Sequence, residues 1–300
     1  LKKANTVLFS YRRPEQTARA IKRICNWGGL DKLYVSIDGL RANASKEEAS
    51  WRKETIATAE KLANFDSRII PVVWDVNKGL TSHAIRIMGK VFESDRRLIS
   101  LEEDNFIEGE GLDFLKRHTE SQGLPSIATA FSTTPHSATT LDFRYTYFPE
   151  QWATSLTSEV FESFLKVWND KSISRELIQS QFRKIYSINR LKQELVVERW
   201  YRIFNAAVNT DSYGDALMSY AALCLGIPYV APINSFVKDI GYEDARGMHP
   251  RTEEIRRSTH AFKPAGKNLL NTCIVCENST NQLPGLGVMH VAKYLRRRVL

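Results

Sequence analysis

The first half of the chain alternates between two hydrophobic patterns. Residues 5–11 (NTVLFSY) form the short continuous apolar run of a buried strand. Residues 14–27 (PEQTARAIKRICNW) repeat their apolar positions at helical spacing, with Pro14 in the first turn and Gly28 and Gly29 past the end. The pattern returns as strand 32–38 with helix 45–65, for which Ser45 is the expected cap, and as strand 68–75 with helix 81–94. It returns again as the strand inside residues 96–106 with helix 109–121, followed by an apolar run at 126–132. Strands that alternate with helices across short links build a mostly parallel sheet covered by helices on both faces, so the expected class is α/β, Rossmann-like. Ligands of such sheets collect at the carboxyl ends of the strands. The polar residues there are Ser10, Tyr11 and Arg12; Asp38 and Gly39; Asp75 and Asn77; and Glu102, Glu103 and Asp104.

The second half changes character. Residues 157–168, the long run from Ser174 to about Asn205 and residues 213–226 read as helices; residues 227–232 read as a short strand, and 234–250 as a loop. This divides the chain into an alternating half (1–135), a mainly helical half of the same domain (136–255) and a C-terminal extension (256–300).

Composition narrows the class of function. The 300 residues are 43% hydrophobic, enough for one sizeable core, and no apolar run is long enough to cross a bilayer. The first residue is Leu and strand-like sequence begins almost at once, so the chain reads as a piece of a longer protein. Four cysteines are too few for a disulfide scaffold, and Cys273 and Cys276 have ligand spacing without a second pair, which points to a reducing compartment: the cytoplasm or the cytoplasmic face of a membrane. The net charge of +8 suits phosphorylated substrates or anionic surfaces, and its clearest cluster is residues 293–300 (KYLRRRVL), a site for peripheral membrane contact or a solvated helix end. His83, His118 and His136 share no metal spacing, Trp152, Trp168 and Trp200 fit helix packing better than a binding groove, and neither a P-loop nor a nucleophile elbow is present.

Three acids end the fourth strand, in LISLEED. Adjacent carboxylates repel unless a cation or water relieves them. Mg²⁺ or Mn²⁺, which take one or two carboxylates together with phosphate oxygens, would do so, and would then neutralise a diphosphate. Alternatively, Asp104 caps the next helix.

Four short motifs occur in order: SYRRP (10–14), SIDG (36–39), NKGL (77–80) and LEED (101–104). Together they resemble the opening of glycosyltransferases of the GT-A fold, closest to the N-acetylglucosaminyltransferase I-like and bacterial family-two-like groups. Residues 232–249 (PINSFVKDIGYEDARGMH) resemble a segment near the end of that family's catalytic domain, with Lys238-Asp239 and Arg246-Gly247-Met248 departing from its pattern.

The resemblance implies a metal-dependent, inverting transfer of a sugar from a nucleotide diphosphate, with a UDP-sugar as first choice, to the hydroxyl of a glycan or lipid-linked acceptor in surface glycan synthesis. Asp104 and His249 are then the metal-side residues, with Mn²⁺ or Mg²⁺. Ser10, Tyr11, Arg12, Asp38, Asn77, Gly79, Glu102 and Glu103 line the nucleotide-sugar, Arg12 or Arg13 reaching phosphate. Asp215 is the catalytic base, with Asp211 as fallback; equally, Asp215 caps its helix. A nucleotidyltransferase fits less well, since the loop after the first strand has arginines but no glycines. A basic module for nucleic acid or lipid fits less well still, because strand-end acids repel phosphate.

Overall fold

A computed structural model describes residues 3–119, 125–131, 143–146, 153–185, 190–210 and 214–240. The first half follows the alternation: β1 (Ala4–Ser10), α1 (Pro14–Cys25), β2 (Leu30–Ile37), α2 (Lys46–Ala63), β3 (Ile69–Val73), α3 (Leu80–Phe92) and β4 (Arg97–Glu102). Then come β5 (Asn105–Ile107), α4 (Gly109–Thr119), β6 (Ile127–Thr129), β7 (Phe143–Thr146) and β8 (Thr154–Thr157). The remainder is α5 (Ser158–Asp170), α6 (Arg175–Ile185), α7 (Arg190–Thr210), α8 (Gly214–Leu225), β9 (Tyr229–Pro232) and β10 (Val237–Asp239).

Eight strands form one sheet in the order β3-β2-β1-β4-β8-β6-β9-β7. Strands β3, β2, β1 and β4 pair in parallel, β8 runs against both β4 and β6, β9 is parallel to β6, and β7 runs against β9. The chain is therefore α/β with a mostly parallel sheet. Its order steps outward from β1 to β3 and then returns to place β4 on β1's other side, so the switch point lies between the ends of β1 and β4. There a crevice opens at the carboxyl edge.

Side chains alternate across the sheet and divide the core in two. Val7, Phe9, Tyr34, Leu98 and Leu156 face a cluster built with α3, α5, α6, α7 and α8. Leu8, Leu33, Val35, Ile37, Ile99 and Leu101 face α1, α2 and α4. Trp168 and Trp200 pack against the first cluster, as their helical spacing implies. Ser45 caps α2 as expected, accepting the Glu48 N–H at 3.1 Å.

Four short strands escape the sequence patterns, among them β7, which pairs with β9. β8 precedes the helix read at 157–168, and β5 and β10 pair antiparallel in a small second sheet where loops were expected. Three or four residues are too few to display a period, so only pairing reveals them. No helix among the described residues is long and apolar enough to cross a membrane. His249, the C-terminal extension, Cys273, Cys276, Trp152, His136, Asp211 and the basic tail lie outside the described residues.

A polar chain is buried between α3 and the sheet. Trp74 donates its Nε1–H to Ser36 Oγ at 2.9 Å, and Ser36 Oγ lies 2.6 Å from His83 Nε2. The indole can only donate, so Ser36 Oγ accepts from it, and the contact with Nε2 is met by either neutral tautomer of His83. Burial, with Arg86 adding repulsion, pushes His83 down to about 4. A depressed histidine contributes stability that is present above its unfolded value near 6.5 and lost as pH falls toward 4. His83→Gln should therefore differ from the parent in a pH-dependent way. In urea denaturation at a series of pH values, the parent's stability relative to the variant should fall by roughly 3 kcal/mol from pH 7 to pH 4.

Candidate functional site

The ends of the first, second and fourth strands are laced together by backbone. Asp38 N–H donates to Ser10 O at 3.4 Å, and Glu103 N–H donates to Phe9 O at 3.0 Å. The segment after β3 is drawn in at Gly39, where a Cβ would stand 2.2 Å from the backbone of Val76 and Asn77, so only glycine fits. Asn77 Nδ2 donates to Asp38 Oδ2 and to Gly39 O, both at 2.9 Å, and Asn77 Oδ1 accepts the Gly79 N–H at 3.2 Å. Gly79 itself has φ of +78°, and α3 starts from that left-handed turn.

These contacts bring Ser10, Tyr11, Arg12, Asp38, Asn77, Gly79, Glu102, Glu103 and Asp104 to one edge of the sheet, as the alternation predicts. They also give several of them structural duties. Ser10 Oγ accepts from Thr17 at 3.3 Å. Asp38 is buried, which raises its carboxyl, and the N–H groups of Gly39 and Lys78 oppose that rise. Arg12 pairs with Glu48 at 3.3 Å, and Arg41 grips both oxygens of Glu48 at 2.9 Å. Tyr11 accepts the Arg41 N–H at 3.3 Å, and burial together with its bond to Glu48 raises its phenol.

The acids separate by direction. Arg13 forks between two of them: Nε to Glu103 Oε1 at 2.8 Å and Nη2 to Asp104 Oδ2 at 2.7 Å, with all three side chains largely shielded. Burial works against the guanidinium charge, but the two carboxylates outweigh it and hold Arg13 above its ordinary value. The Asp104 carbonyl accepts the Ile240 N–H at 2.9 Å, which ties the acidic turn to the end of β10. Arg13 is thus the cation that relieves two of the three acids; the resemblance implied a phosphate partner for it, and nothing along the chain hinted at this pairing.

Glu102 points elsewhere, into a cavity of about 70 Å³ on the side of α3 and α8, which Asp215 also lines. The first turn of α8 sits on the first turn of α3, since a Cβ on Gly214 would meet Thr81 Oγ1 at 3.0 Å. That packing carries Asp215 to the strand ends. Burial, followed by the charges of Asp104, Asp215 and Glu103, raises Glu102 well above the usual carboxylate range. Asp215 keeps an open surface toward solvent while protein surrounds it on most sides, and burial lifts it to about 6. The helix N-terminus, which favours a carboxylate, is outweighed by that loss of water.

The oxygen donors suit a hard cation in chemistry: Glu102 lies beside Asp104 and feels Arg13 only as a neighbouring charge, and such ions use one or two carboxylates plus substrate phosphates. Among the described residues no group of three or more His, Cys, Asp or Glu is arranged to hold a metal ion. Sequence reasoning missed Ser100, Asn105 and Thr154, which line the same cavity. The signal for Ser100 was a serine on the inward face of an otherwise apolar strand. Searches against models of protein families and against curated proteins give no match to this chain.

Proposed function

We propose that the chain is a glycosyltransferase of GT-A type: metal-dependent, inverting, and moving a sugar from a nucleotide diphosphate to an acceptor hydroxyl in surface glycan synthesis. The observation that carries the reading is the meeting of Glu102 and Asp215 in one cavity beside the β1–β4 switch point, with Asp104 at the adjacent turn. The order of the four motifs supports it, because their residues converge on one sheet edge.

In this reading Asp215 is the base. An acid lifted to about 6 is ionised at neutral pH yet basic enough to accept a proton. The acceptor oxygen forms a bond to the anomeric carbon and its proton passes to Asp215. The bond from that carbon to the phosphate oxygen breaks, and its electron pair leaves with the diphosphate on the opposite face. Glu102 and Asp104 would hold Mn²⁺ or Mg²⁺, which supplies positive charge to the departing diphosphate. Tyr11, Arg12, Asp38 and Asn77 shape the edge against which the nucleotide lies.

The test follows UDP release from UDP-sugars, to water or to added glycan, with Mn²⁺ and with excess chelator. The parent should turn over only with the metal, and Asp104→Asn should lose about 100-fold or more in turnover at a temperature where the variant is still folded, although it gives up one arm of the Arg13 fork and unfolds earlier. Full activity in chelator, or in the variant, sinks the metal assignment; release of pyrophosphate from a nucleoside triphosphate and a sugar phosphate would replace transfer with nucleotidyl chemistry.

A further inference from the structure

The cavity that Glu102 and Asp215 share is polar in an unusual place. It opens on the sheet face that packs α3 and α8, where Val7, Phe9, Leu98 and Leu156 make an apolar surface. Ser100 and Thr154 face each other across the antiparallel β4–β8 pair on that surface, both more than nine-tenths buried and both lining the cavity. Neither side-chain hydroxyl has a hydrogen-bond partner among the described residues.

Asn105 is 5% exposed and adds a directed donor. Its Oδ1 accepts the Glu102 N–H at 3.0 Å. A backbone N–H can be met only by the amide oxygen, so the NH₂ end is fixed on the other side. Asn105 lines the cavity, and its Nδ2 has no partner among the described residues. Buried polar groups left without a protein partner are met by water or by a ligand. The space of about 70 Å³ admits a few water molecules and is well below the roughly 150 Å³ of a cavity that takes a six-membered ring.

These groups restrict the chemistry of an occupant. Asn105 Nδ2 can only donate, so the occupant must offer a lone pair, which excludes an ammonium. An anion would meet two acids and no basic side chain in this lining. A methyl group would leave every polar wall unpaired. A hydroxyl on a single carbon meets all of these demands: it accepts from the amide, donates to a carboxylate or to Ser100 or Thr154, and lays its CH₂ against Met88 and Phe164.

We infer that this cavity is a specificity pocket that takes the exocyclic hydroxymethyl arm of a hexose, displacing its water. The inference rests on the sugar-transfer reading for the identity of the arm. Asp215, exposed at the rim with Leu80, stays outside the pocket floor and remains available to the reacting hydroxyl.

UDP-glucose and UDP-xylose differ only by this arm, as do methyl β-glucoside and methyl β-xyloside. Calorimetry on the nucleotide sugars, and ligand-observed NMR on the glycosides at millimolar concentration, measure the preference. The parent should favour the arm-bearing member of a pair by about tenfold or more. Ala84→Leu, which fills the cavity from α3, should bring that ratio to about one. Ser100→Ala with Thr154→Val, a near-isosteric pair that leaves the Asn105–Glu102 contact in place, should reduce it several-fold. Equal binding by the parent, or a preference that survives Ala84→Leu, overturns the pocket and leaves ordered water as its occupant. A preference among glycosides without any nucleotide-sugar binding would keep the pocket and defeat the donor reading; no binding by either pair defeats both.

Discussion

Asp215→Asn should lower turnover by about 100- to 10,000-fold, the range general-base catalysis contributes, with little change in donor affinity. The amide keeps the shape of the side chain and cannot accept the proton. The pH profile is the sharper readout. The parent's rate should rise with pH through about 6, where the Asp215 carboxyl ionises, and the residual activity of the variant should lack that limb. Stability should move the other way. A carboxyl whose folded value is raised costs stability as pH climbs from its unfolded value near 3.8 through 6. The variant should therefore unfold at a higher temperature than the parent at pH 8 and at nearly the same temperature at pH 3.5. Solvent at the cavity mouth tempers the size of this gain but not its sign. A variant that is inactive and also less stable at pH 8 would mark Asp215 as a structural cap of α8.

Arg13→Met should cost about 3–5 kcal/mol in denaturant unfolding, the expected penalty for breaking a buried ion pair from one side. The loss comes less from attraction forgone than from Glu103 and Asp104, left close together and shielded with their shared cation gone. Two consequences separate this from ordinary loss of packing. The penalty should shrink as pH falls toward 4, because Glu103, whose carboxyl burial already raises, takes up a proton once its cation is gone. Adding Glu103→Gln and Asp104→Asn should restore most of the stability, since replacing all members of such a cluster is often neutral. Arg13→Lys should recover only part, because an ammonium cannot reproduce the two-pronged fork. A penalty independent of pH and unrelieved by the triple variant would mean that Arg13 acts through its aliphatic stem.

The sheet's first half was legible because local signals agree along it. Apolar runs end at Gly28, at Asp38-Gly39 and at the acids after Leu101, and the intervening segments carry clean helical stripes. Pro14 and Ser45 sit where a helix start demands them. From that pattern alone, a parallel sheet and a polar carboxyl edge follow. The short strands β5, β7, β8 and β10 were not legible, since each exists only through its partner.

The site divides the same way. The sequence by itself determined that Ser10, Asp38, Asn77 and Glu102 to Asp104 share an edge, because alternation and strand polarity fix where each strand ends. It could not determine what those residues do there. Arg13 reaches Glu103 and Asp104 from 90 and 91 positions away, and Asp215 comes to Glu102 from the other half of the chain. Tertiary structure alone chose which acids receive an internal cation and which are left facing a cavity. The physical reason is that charge pairing and burial depend on distance in space, and periodicity reports only neighbours along the chain.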